Sequence, residues 1–199
     1  MLHVPGILED VSATSHRPTA DDALRIGRRR FQAGERLDMS AVADALSVNR
    51  VTLYRWFGSR DRFAVEVIWS LARQALDTVA AEVSASGPER VVALVSGFLD
   101  LVIADPGMQR WLADEGEHAM RLLTRHETDF QPRLIAAIEH ALLEEADAGR
   151  LDLPVDLHEL AYVIVRLIES YTYLDLITGE RPDARRAEPI LRMLLRLDA

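Results

Sequence analysis

The chain has 199 residues, 49% of them hydrophobic, with no Cys and a net charge of −9. The apolar content is ample for a buried core, and the length allows one large domain or two small ones. The lack of Cys excludes disulfides, thiolate zinc sites and a cysteine nucleophile. No apolar run reaches the roughly 18 residues of a membrane span, and the first residues lack the basic start and apolar stretch of a secretory signal. A soluble, cytoplasmic protein without a membrane partner is expected.

The charge is unevenly divided. Residues 17–73 hold 11 Arg against 7 Asp and Glu, whereas residues 74–199 hold 12 Arg against 23. A basic N-terminal module on an acidic body fits a reader of nucleic acid whose second part faces something else. All the basic residues are Arg, whose planar fork suits phosphate and guanine. A GC-rich genome accounts for the same bias.

In chain order, residues 1–17 read as a flexible arm. Thr19 caps a first helix with Asp21 and Asp22 in its first turn, where the helix dipole favours acids. Ala20, Ala23, Leu24, Gly27 and Phe31 share its apolar face, and Gly34 is a stop signal. Arg28, Arg29 and Arg30 lie on its solvent side, either as phosphate contacts, Arg28 first, or as an ordinary solvated face. A second helix follows Asp38 and buries Val42, Ala45 and Leu46. Ser47-Val48 makes a turn, Asn49 caps a third helix over 50–57, and Gly58 ends it. Ser59 caps a long fourth helix over about 60–83. After the break at 84–88 the pattern stays helical: 89–103, an irregular stretch over 108–123, then a helix that holds Pro132 in its first turn and ends at Gly149. Leu153-Pro154 is a loop, a long helix covers 156–178, and a ninth runs from Pro182 to about Leu197. With no alternating strand pattern, the expected class is all-α, with nine helices.

Two short helices, a tight turn and a fresh helix start within 38–63 form the layout of a helix-turn-helix. On the third helix Leu53 and Phe57 should pack inward. Arg50, Thr52, Tyr54 and Arg55 occupy a surface suited to a major groove about 12 Å wide, where Arg pairs with guanine and Thr meets a thymine methyl. Tyr54 offers a hydroxyl to phosphate. Ser59 and Arg60, at the amide end of the fourth helix, form a second expected phosphate site.

This stretch resembles the TetR family of regulators, whose recognition segment reads approximately V-[ST]-x-x-T-[LV]-Y-x-[HYW]-F-x-[SN]-[KR]-x-x-[LF]. Val48, Asn49, Thr52, Leu53, Tyr54, Trp56, Phe57, Ser59, Arg60 and Phe63 fill the pattern. Two positions depart from it. Ser47 stands where Gly is usual, so a residue with a Cβ must accept the φ of the turn, and Trp56 stands where His or Tyr is common. RPTADDALRIGRRRFQAGERLDM, LYRWFGSRDRF, FQPRLIAAI and ESYTYLDLITGERPD are similar to the QsdR-type branch, whose name is tied to control of quorum-signal lactone degradation.

The resemblance implies an arm over 1–17, a helix-turn-helix domain over 18–63 with the fourth helix as connector, and an effector-binding and dimerisation domain over 84–199. It implies a duplex DNA operator, a homodimer and a small apolar effector, a lactone or acyl-chain molecule, as partners, with no cofactor. The expected DNA-binding residues are Arg28, Asn49, Arg50, Thr52, Tyr54, Arg55, Trp56, Ser59 and Arg60.

Wide apolar faces on the last two helices suit a four-helix dimer bundle: Leu157, Leu160, Ala161, Ile164, Leu167, Ile168 and Tyr171, with Ile190, Leu191, Leu194, Leu195 and Leu197. Filling the protomer's own core is the alternative. The expected ligand-binding residues are Phe98, Trp111, Met120, Phe130, Tyr162, Arg166, Glu169 and Tyr173. Arg166 and Glu169, three apart on one helix, are read either as a polar head clamp or as a structural ion pair. Catalytic patterns are weak. His118, His126 and His158 make no metal-ligand spacing, and Ser96-Gly97 is not in G-x-S-x-G. The expected function is a ligand-responsive repressor. The alternatives are a helical interaction module or an activator without a small ligand.

Overall fold

The computed structural model describes residues 17–153 and 155–197, and every regular element among them is helical. The expectations for residues 1–16 and for Pro154 lie outside the described residues.

α1 (Ala20–Gln32) begins with a capping box in which the Thr19 hydroxyl accepts the Asp22 N–H and the Asp22 carboxylate accepts the Thr19 N–H. Its apolar stripe buries Ala23, Gly27 and Phe31. Gly27 is required by the crossing with α4, since a Cβ there would lie 2.6 Å from Val67 Cγ2. α2 (Met39–Ala45) is capped by Asp38, which accepts the Ser40 N–H. α3 (Arg50–Phe57) is capped by Asn49, which accepts the Val51 N–H. α4 (Arg60–Glu82) starts at the Ser59 cap and is about 34 Å long at 1.5 Å per residue. Phe31, Leu37, Met39, Val42, Leu53, Phe63 and Val67 are buried in one cluster that locks the first four helices together.

α5 (Pro88–Ala104) and α6 (Pro106–Thr124) pack on α4, while α7 (Phe130–Asp147) and α8 (Leu157–Thr172) pack on each other and on α5. They are followed by α9 (Leu174–Thr178) and α10 (Glu188–Leu194), with single 3-10 turns at 126–128 and 184–186. The core is continuous from α1 to α10. No single helix among the described residues is long and apolar enough to cross a membrane.

The all-α expectation holds, with several local corrections. The expected helix over 156–178 is interrupted at Tyr173 (φ −102°, ψ 19°), which turns the Tyr173 and Leu174 side chains into the core. That break brings the α-helices among the described residues to ten rather than nine. The last helix is shorter than expected, Glu188–Leu194, after a 3-10 turn. In α2 the buried residues are Met39, Val42 and Ala43, while Ala45 is exposed and Leu46 half-buried. The irregular stretch is a 19-residue helix kinked at Glu115 (φ −135°, ψ 32°). Ser47 takes φ 53° in the turn between α2 and α3, the left-handed region that favours glycine.

Candidate nucleic-acid interface and ligand cavity

On α3 the exposed residues are Arg50, Val51, Tyr54 and Arg55, at helical positions that share one face. Leu53 points the other way and is fully buried. Arg50 donates to the Tyr54 hydroxyl at 2.8 Å, and its guanidinium lies 5.2 Å from the ring centroid. The pair is therefore a preformed donor cluster. Arg55 is exposed and forms no ion pair among the described residues. Val51, to which sequence reasoning gave no role, is 71% exposed. An apolar side chain this open amid Arg and Tyr is suited to a thymine methyl. Helical spacing from Arg50 and Tyr54 was the available signal.

The other expected DNA-binding residues have different surroundings. Asn49 and Ser59 use their side chains as helix caps. Thr52 is half-buried. Trp56 packs edge-on against Phe57 and lines a cleft between α3, α4 and α6. Arg28 donates to the Ser70 hydroxyl at 2.6 Å in the seam between α1 and α4, away from the α3 face. Arg60 turns inward. Its Nε donates to the Leu37 carbonyl at 3.0 Å and its Nη2 to Glu115 at 3.0 Å. The guanidiniums of Arg28 and Arg60 thus both bond within the fold, and the expected phosphate site at Ser59 and Arg60 rests on the backbone amides that start α4.

Glu115 is the point where the first four helices meet the rest. Seated at the kink of α6, it accepts from Arg60 at the start of α4 and from Arg36 before α2. The Arg60 hydrogen bonds, helped by Arg36, hold its carboxyl below the usual carboxylate range against the opposing effect of burial. Nearby, His118 pairs with Asp61 at 3.2 Å and with Arg121 at 3.0 Å. The start of α6 also presses on α1. A Cβ at Gly107 would lie 2.1 Å from the Phe31 carbonyl oxygen, and Trp111 packs edge-on against Phe31.

Within the helical body lies a cavity of about 410 Å³ walled by α4, α5, α6, α7 and α8, with Phe31 and Gln32 of α1 also in its lining. Ile68, Leu71, Phe98, Val102, Phe130 and Leu134 supply much of its apolar surface. Exposed Gln74, Thr78 and Leu101 mark its mouth, while Glu169, Thr172 and Tyr173 line it from the end of α8. Glu169 pairs with Arg166 at 2.8 Å and accepts from Gln131, which itself accepts from Arg166. Burial pushes the Glu169 carboxyl up to about 7 even though Arg166 pulls it down.

Of the expected ligand residues, Phe98, Phe130, Glu169 and Tyr173 line this cavity. Met120 and Arg166 line an outer groove that shares Glu169 and Tyr173 with it. Trp111 and Tyr162 do not line this cavity. Trp111 is held against Phe31, and Tyr162 is exposed with the Arg166 guanidinium over its ring. Sequence reasoning places the pocket among the fourth to eighth helices but names none of the α4 residues from Ile68 to Thr78, because they read as ordinary helix spacing. Of the remaining His residues, His158 pairs with Glu139 at 2.6 Å, and this carboxylate raises its pKa.

The expected dimer faces are partly spent within the protomer. Leu160, Ala161, Ile164, Ile168, Leu191 and Leu195 are buried in its core. The apolar residues left exposed there are Tyr162, Val163, Leu176, Ile177, Ile190 and Met193.

Comparison with known proteins adds independent findings. Residues 86–196 match the family model described as tetracyclin repressor-like, C-terminal domain. The HTH-type transcriptional regulator BetI of Agrobacterium fabrum is 28% identical over 175 residues, covering 78% of this chain and 85% of the relative. The transcriptional repressor QsdR of R. erythropolis, from the TetR family, is similar in structure with a TM-score of 0.79 and 23% identity, over 90% of this chain and 96% of that one. FadR of Bacillus subtilis, solved with stearoyl-CoA, has a TM-score of 0.60 and 12% identity, over 89% and 98% of the two chains. At these identities the two structures speak for the fold.

Proposed function

Given that the chain belongs to the TetR family of transcriptional regulators, we propose that it is a repressor that leaves a near-palindromic operator when a small apolar effector enters the α4–α8 cavity. Regulators of this family bind operator DNA and act as dimers. One observation carries the ligand-responsive reading: α4 starts directly behind α3, and its stretch from Ile68 to Thr78 is a wall of the cavity. A single helix thus touches both the reading head and the ligand space.

In this reading residues 18–63 form the DNA-binding domain, α4 connects, and 84–199 bind effector and partner subunit. Arg50, Val51, Tyr54 and Arg55 enter the major groove, and the Asn49 and Ser59 helix starts approach phosphates. Tyr162, Val163, Ile177, Ile190 and Met193 seat the partner subunit. Two reading heads then address half-sites one turn apart, about 34 Å. Ligand favours a conformation whose heads no longer match that spacing. A 100-fold loss of operator affinity requires about 2.8 kcal/mol of coupling. The segments that resemble the QsdR-type branch, with the apolar cavity, support a lactone or acyl-chain effector and a cytoplasmic regulator.

The test starts with selection of a duplex from a random library, followed by titration across salt concentrations. Binding should fall steeply and log-linearly with salt as phosphates are neutralised. Absence of duplex binding at low salt would overturn the reading.

A further inference from the structure

The lining of the α4–α8 cavity restricts the chemical class of its occupant, and this restriction rests on the cavity being the effector site of the proposed repressor. No Arg or His, and no Lys in the chain, stands among the described residues that line it. Its ionisable groups are Asp105, Glu169 and Tyr173. Asp105, near the mouth, is engaged in capping α6 by accepting the Met108 N–H at 2.8 Å. Glu169, where the cavity adjoins the outer groove, is held by Arg166 and Gln131. Arg166 lines the outer groove rather than this cavity; its Nη2 pairs with Glu169 and Gln131, while its buried Nε has no partner among the described residues. A carboxylate or phosphate entering this space would leave water for a lining that carries Asp105 and Glu169 and no cation of its own. Burial of an uncompensated charge is strongly unfavourable.

Tyr173 supplies what the acids do not. It is 4% exposed, lines the cavity, and its hydroxyl forms no hydrogen bond among the described residues. Burial raises its pKa above the ordinary phenol value, so the group stays an O–H donor. A buried Tyr hydroxyl normally finds a partner. Tyr173 lines both this cavity and the outer groove beside it, so an occupant of that joined space supplies the partner. The apolar side chains that reach from Phe130 to Leu101 suit a hydrocarbon chain.

We propose that the cavity selects an uncharged amphiphile whose carbonyl oxygen accepts from the Tyr173 hydroxyl while its chain runs along the α4–α5 wall to the mouth. Free acids and phosphate-bearing thioesters of the same chain are rejected.

The experiment is calorimetric titration of the full chain, without DNA, using decanamide, methyl decanoate, decanoate and decanoyl-CoA. The amide and the ester bind, and the two anions bind at least tenfold more weakly. Tyr173→Phe lowers ester affinity about tenfold, the upper range for one neutral hydrogen bond. Should that variant fold poorly, as read by its thermal midpoint, the wild type is titrated with methyl decyl ether, which lacks the carbonyl. The ether then binds about tenfold more weakly than methyl decanoate. Either anion binding as tightly as the amide would overturn the inference, as would an ether equal to the ester or no binding by either neutral carbonyl probe. Because DNA is absent, these outcomes bear on ligand class alone. Failure of the duplex titration bears on the repressor reading alone.

Discussion

Replacing Glu115 by Gln removes a charge shared by three parts of the molecule. The carboxylate is 19% exposed and meets Arg60 through two N–H groups, at 3.0 and 3.3 Å. Arg60 is 35% exposed, so its pair is screened on one side, and Arg36, at 73%, is largely solvated. A charge-assisted pair of the first kind contributes about 1 kcal/mol, and one of the second a few tenths. The expected loss at pH 7 is therefore about 1–1.5 kcal/mol, or roughly 2–6 °C in Tm for a chain of this size. Urea unfolding of the wild type, Glu115→Gln, Arg60→Met and the double variant should give a coupling energy of about 1 kcal/mol. The carboxyl has a lowered folded pKa, so its contribution is present above the unfolded value of 4.5 and is lost as pH falls through the folded one. Wild type and Glu115→Gln should therefore converge at low pH. A coupling near zero, or a difference that persists undiminished under acid, would refute the assignment of Glu115 as an ionic tie between reading head and body.

Other expectations concern separate parts of the fold. Arg55→Ala should cost about 1–3 kcal/mol of operator affinity and relax sequence preference; equal loss on all duplexes would make Arg55 a phosphate contact. Ser47→Gly should stabilise the fold by about 1 kcal/mol in urea titration, because Ser47 holds φ 53°. Sedimentation should give a dimer of about 45 kDa, twice 22.3 kDa, and Val163→Glu should shift it to monomer by placing a charge on the exposed face of α8. Glu169, facing Arg166, Gln131 and Tyr173, has a raised folded pKa of about 7. Its neutral form favours folding, and that contribution fades as pH rises from 4.5 through 7. Relative to wild type, Glu169→Gln should gain about 1–2 kcal/mol between pH 5 and pH 8, discounted for partial solvation. A constant difference across that range would contradict the buried-acid account.

Local chemistry made much of the head legible. Thr19, Asp38, Asn49 and Ser59 satisfy orphan N–H groups within three residues of themselves, so their helix starts could be read from sequence. The period of Ala23, Gly27 and Phe31, like that of Leu53 and Phe57, told which side faces inward. Ser47 announced a strained turn because the only question was its own φ. The all-α class and the family followed from such short-range signals.

The tertiary structure decided what depends on distant partners. Nothing near Arg60 in sequence points to Glu115, 55 residues on, so its inward turn was not readable. Arg28 looked like solvent surface until Ser70 came within 2.6 Å. Tyr173 read as the middle of a long helix, yet the break there aims it into the core and leaves its hydroxyl without a partner among the described residues. The residues of α8 and α10 looked like an interface, and half of them were needed to fill the protomer. Caps, periods and turns are properties of adjacent residues, and sequence alone determines them. Which apolar face is covered, which Arg finds an acid and where a cavity remains are settled only when helices far apart in the chain are packed together.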